Sequence, residues 1–124
     1  MLKIQMSMRN ETQPGNGPIV RVYDATVLNR CEDGYEQWLG SYSVRVSSDE
    51  RFFTVYSYMG QPIGTIVRPR YDERFQRWTA SLVDGTYVGR KDGYLPGHPG
   101  PIQALRKLLI AAHSYLDVRE TEGA

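Results

Sequence analysis

Arg77-Trp78-Thr79-Ala80-Ser81-Leu82-Val83-Asp84-Gly85-Thr86-Tyr87-Val88, followed after a Pro/Gly-rich spacer by Pro101-Ile102-Gln103-Ala104-Leu105-Arg106-Lys107-Leu108-Leu109, decides the fold. In the first segment Trp78, Ala80 and Leu82 alternate with Arg77, Thr79 and Ser81. That period of two places one set on a core and the other in solvent. Asp84-Gly85 between Phe75–Val83 and Thr86–Arg90 predicts a hairpin closed by a two-residue type I′ turn. In the second segment Ile102, Leu105, Leu109, Ala112 and Leu116 recur at helical spacing, and Pro101 suits the first helical position. A helix over 101–118 follows from this pattern, with a frayed tail at 119–124.

Working back towards the N-terminus, short strand-like runs alternate with turn signals. Trp38, Tyr42, Val44 and Val46 form the clearest half-buried strand. Ser47-Ser48-Asp49-Glu50 turns it, Arg51–Tyr58 returns, Met59-Gly60-Gln61-Pro62 turns again, and Ile63–Tyr71 is the next strand. Ile19–Leu28 is β-rich and Asn29–Tyr35 reads as a loop. Leu2, Ile4, Met6 and Met8 alternate with polar residues, which predicts a short N-terminal strand before a loop at Asn10–Pro18. Connections this short join antiparallel neighbours and exclude βαβ crossovers. The expected architecture is α+β: one domain over 1–124, an antiparallel meander of five to six strands across 19–90 with the N-terminal segment 1–18 added, and one C-terminal amphipathic helix packed on one face. Trp38, Val44, Val46, Trp78, Leu82, Leu105, Leu109 and Ala112 are the expected core. The apolar arc of the helix is wider than one sheet contact needs, so either the sheet curls around it or a second copy of the chain covers part of it.

The 124 residues carry a net charge of +1 and 40% hydrophobic residues, the balance of a soluble globular domain. The charge is uneven: residues 11–50 hold three basic and seven acidic side chains, whereas 51–110 hold nine basic and four acidic. A single cysteine, Cys31, excludes an internal disulfide and fits a reducing cytoplasm. No apolar run approaches the ~20 residues of a membrane span, and the first residues lack the apolar core of a signal peptide.

Reaction chemistry finds no motif. Cys31, His98 and His113 are far apart and lack metal-ligand spacing, so no metal and no cofactor is expected. Glu32 and Asp33 beside Cys31 disfavour a reactive thiolate. Nucleophile-elbow and phosphate-loop patterns are absent. His98 reads as an exposed loop residue, His113 as a solvated histidine at the edge of the helix's polar arc, and no catalytic residue is assigned. The positive signal is instead a basic, aromatic-interleaved surface: Arg68, Arg70, Arg74, Arg77, Tyr87, Arg90 and Lys91. Strand alternation groups Arg68, Arg70 and Arg77 on one solvent-facing side. Arginine and tyrosine there suit a protein interface, or alternatively a DNA or RNA backbone. Arg106, Lys107 and Ile110 on the polar arc of the helix form a second candidate interface.

Residues 75–116, with Arg77–Gly85 and Tyr87-Val88-Gly89 leading to a helix, resemble the sheet-plus-helix DNA-binding arm of tyrosine recombinases. The additional strands before this segment and the long proline-rich loop depart from that family. The same hairpin with Pro101–Leu105 and Leu108-Leu109 also resembles small phage and prophage α+β accessory proteins. The second resemblance implies an accessory or anti-defence role; the missing reaction motifs, the Tyr and Arg on predicted strands and the wide apolar helix face make a non-enzymatic inhibitor that occludes a larger host protein or complex the leading expectation. The first implies nucleic-acid binding.

Overall fold

The computed structural model describes residues 2–12, 19–70, 77–89 and 97–113. Its strands are β1 (Leu2–Thr12), β2 (Ile19–Arg30), β3 (Glu36–Val46), β4 (Phe52–Ser57), β5 (Pro62–Val67) and β6 (Thr79–Leu82), followed by helix α1 (Pro101–Ala112). They form one antiparallel sheet in the order β1-β2-β3-β4-β5-β6, so every neighbour in the sheet is also the neighbour in the chain. This is the expected α+β meander, an open sheet with one helix against it.

The turns explain the connectivity. At Leu82–Thr86, Leu82 N–H donates to Thr86 C=O and Gly85 N–H to Leu82 C=O, both at 2.9 Å, and Gly85 takes φ +89°. Asp84 is not in the left-handed region, so the two-residue type I′ turn expected here is replaced by a three-residue loop with a glycine bulge. The Asp84 carboxylate accepts from Thr86 N–H at 2.9 Å, and that bond holds its pKa below the ordinary value. The same pair of backbone bonds recurs at Cys31–Tyr35 and Ser57–Gln61, with Gly34 and Gly60 in the glycine position.

Core burial follows strand parity. Ala25 and Val27 of β2, Tyr42, Val44 and Val46 of β3, Phe53 and Val55 of β4, Ile66 of β5 and Ala80 of β6 are buried on one face. Leu105, Leu108 and Leu109 of α1 meet them. Gly64 is crowded from two sides: a Cβ there would stand 2.2 Å from Ser81 O of β6 and 2.8 Å from Leu108 Cδ1 of α1. Glycine at this strand position leaves room first for the β6 backbone and then for α1 against β5.

Several expectations are corrected. Trp38 is 60% exposed, not core. The β2–β3 register pairs Val27 with Gly40 but Leu28 with Trp38, so Leu39 is an extra residue that turns Trp38 onto the other face. Leu39 itself packs against the core. Trp78 and Leu82 are half-buried against the core, and Ala112 is half-buried. Strand β1 does not stop at Met8 but pairs with β2 through Thr12, because a full-length partner overrides the polar composition of Asn10–Thr12. Strand β5 ends at Val67 rather than Tyr71, and β6 covers only Thr79–Leu82; of the expected return strand the described part forms only the Ser81–Tyr87 bridge. The helix ends at Ala112: His113 has extended backbone and its N–H closes the last turn on Leu109 C=O. The expected tail lies outside the described residues. His98 is buried, not an exposed loop residue, since its backbone exchanges two hydrogen bonds with Trp78, at 2.8 and 2.9 Å.

Candidate binding surfaces

Register places the predicted arginines. Val67 faces Thr79 and Ile66 faces Ala80, so Arg68 falls opposite Trp78 on the helix-bearing side. Arg68 N–H donates to Arg51 C=O at 2.9 Å, and its guanidinium carbon lies 5.3 Å from the Trp78 ring centre and 5.5 Å from that of Phe53. Arg77 is one residue out of phase with Trp78, exposed, with its stem so close to Gly97 that a Cβ there would collide with it. The structure therefore separates Arg68 from Arg77. Arg70 and Tyr87 are exposed, while Arg74, Arg90 and Lys91 lie outside the described residues.

The second predicted interface also divides. Lys107 is exposed, but Arg106 is half-buried and Ile110 packs against the core. The wide apolar arc of α1 is thus taken up largely by the sheet of its own chain. Ile102, 40% exposed, and Ala111 remain outside it.

On the sheet face away from α1, charges neutralise one another. Arg9 Nε donates to Asp24 Oδ2 and Arg9 Nη1 to Glu11 Oε2, each at 2.8 Å, while Arg45 Nη2 donates to Glu11 Oε1 at 2.6 Å. These bonds, from Arg45 first and then Arg9, hold the Glu11 carboxyl below its ordinary pKa. Val22, opposite both Arg9 and Arg45 in the ladder, is fully buried on this side although it is not part of the main core. Beside the network, Arg9, Asp24, Thr26, Ser41, Ser43 and Tyr58 line an open depression of about 380 Å³.

One end of the sheet carries a feature that charge patterning missed. In an antiparallel meander the turns after β2, β4 and β6 leave from the same end, and here all three are the glycine-bulge type. Tyr35, Tyr58, Met59 and Val83 sit in or beside these turns and are exposed, Tyr58 by 79% and Met59 by 81%. Trp38 stands next to them on β3, its indole N–H donating to Ser41 Oγ at 3.1 Å. The sequence signal was available: Tyr58-Met59-Gly60 and Val83-Asp84-Gly85 put large apolar residues where turns ordinarily place polar ones.

Between α1 and the sheet lies an apolar cavity of about 210 Å³, with Met6, Tyr23, Phe53, Trp78 and Ile102 in its wall and Arg68 at its edge. Burial lowers the pKa of both His98 and His113; at His98 a bond to the Val88 backbone opposes the shift in part. Among the described residues no group of three or more His, Cys, Asp or Glu side chains is placed to hold a metal ion. No described helix is long and apolar enough to cross a membrane. No family model, curated protein or solved structure matches this chain.

Proposed function

We propose that the chain is a non-enzymatic protein-binding module that occludes a larger partner with the turn-bearing end of its sheet. The observation that carries this reading is the grouping of Tyr35, Trp38, Tyr58, Met59 and Val83 on three backbone-tied turns and the adjoining strand. Aromatic and Met side chains are enriched at protein interfaces, and rings held on short rigid turns lose little entropy when a partner covers them. The local electrostatics point the same way. Arg9 and Arg45 pair with carboxylates, and Arg21 pairs with Glu50. A surface neutralised in this manner gives a phosphate backbone few counterions to release. The resemblance to phage accessory proteins supports an inhibitor of a host complex as the specific form of this activity.

The test is an affinity capture from nuclease-treated bacterial lysate with three forms of the chain. The wild type and an R70A/R77A variant should retain the same stoichiometric protein, and a W38A/Y58A/M59S variant should lose it. Loss with the arginine variant alone, together with nucleic acid recovered when nuclease is omitted, would replace this reading with nucleic-acid binding.

A further inference from the structure

We infer that the cavity between α1 and the sheet is a ligand site for a small aromatic monocarboxylate, with Arg68 as its recognition residue. The space is a cleft partly open to solvent, with about 210 Å³ of room and the half-exposed Ile102 in its lining. A dry cavity of about 150 Å³ accommodates benzene, so the space here takes one six-membered ring and a short substituent.

The wall fixes the chemistry of the occupant. Tyr23, Phe53 and Trp78 present three aromatic rings, and Met6, Ile102 and Leu105 complete an apolar lining that suits a flat ring. Among the described residues, Arg68 is the single charged one in the lining. The two rings beneath it hold it there, and the Arg68 to Arg51 backbone bond fixes where its side chain leaves the strand. Among the described residues no carboxylate pairs with it. A guanidinium in that position offers a planar donor fork to a carboxylate. An apolar ring slot ending in one cation is complementary to a ring that ends in one anion. A neutral aromatic leaves the fork unused, and a polyanion places charge against the apolar wall.

The site lies on the opposite side of the sheet from Arg9 and Arg45, and its occupancy does not depend on the protein-binding reading. Titration calorimetry of the full chain with phenylacetate and with 2-phenylacetamide tests it. Phenylacetate should bind at least tenfold more tightly than the amide and raise the melting temperature. Arg68→Met should abolish that preference while leaving weak binding of both, which also reports that the variant is folded. Ile102→Trp should fill the cavity and block both ligands, with a cooperative melt retained. Equal affinity of acid and amide for the wild type would overturn the role of Arg68. The absence of saturable phenylacetate binding in the millimolar range would overturn the site itself.

Discussion

Gly64 and Trp38 show how single residues set this structure. A side chain at 64 has no room between Ser81 O and Leu108, so Gly64→Ala should cost about 2–3 kcal/mol, the scale of an overpacked core. Urea midpoints compared with the wild type measure it; an unchanged midpoint would mean that neither the β6 backbone nor α1 presses on this position. Trp38→Ala should change stability by less than about 0.5 kcal/mol, since the indole is mostly exposed and makes one surface hydrogen bond. From the sequence the opposite result follows, because Trp38 lies in phase with Tyr42, Val44 and Val46. Binary pattern describes one strand at a time, while a bulge is a property of two paired strands. Nothing in Gln37-Trp38-Leu39-Gly40 announces that Val27 will face Gly40 and Leu28 will face Trp38. The same reason separated Arg68 from Arg77: each strand's alternation was legible, but the register between β5 and β6 was not.

At the scale of elements, α1 has no strong cap of its own. Gly100 provides no side-chain bond at the N-terminus and the first turn carries no acidic residue. Twelve residues with these ends are marginal as an isolated helix, so packing of Leu105, Leu108 and Leu109 is what holds it. Leu108→Ala should therefore cost about 2–4 kcal/mol, and Leu109→Asp should prevent a cooperative near-ultraviolet melt altogether. A normal melt for Leu109→Asp would remove α1 from the core. The helix itself was legible because its 3.6-residue period survives without tertiary information. Its end was not, since Leu116 continues the period while the backbone already turns extended at His113. The hairpin at 82–86 was read in the right place with the wrong turn. Asp-Gly serves both the two-residue and the bulged three-residue loop, and the partner strand selects between them.

For the molecule as a whole, pH dependence follows from the imidazoles. His98 and His113 are held below the ordinary histidine value of 6.5 by burial. The unfolded chain then binds more protons than the folded one just below 6.5, and stability falls as pH falls through that region. Their contribution is fully present above 6.5. Asp49 and Asp84, with carboxyls below 3.8, add a second loss at more acidic pH. Urea midpoints measured from pH 8 to pH 3 should show both declines, and His98→Asn should shrink the first; a midpoint independent of pH between 7 and 5 would contradict the burial of these rings. The burial of His98 was not legible, because its Pro/Gly-rich context reads as solvent-exposed whereas its backbone bridges Trp78 and its ring bonds the Val88 backbone. The strand order carries a consequence for biosynthesis. Because each strand pairs with the one made just before it, the sheet can zip up in the order in which the ribosome delivers it. The element that covers its greasy side comes last, however. A nascent chain stalled before residue 101 would display that side uncovered, so polypeptides released there are expected to be clients for chaperones and proteases rather than smaller working versions of the protein.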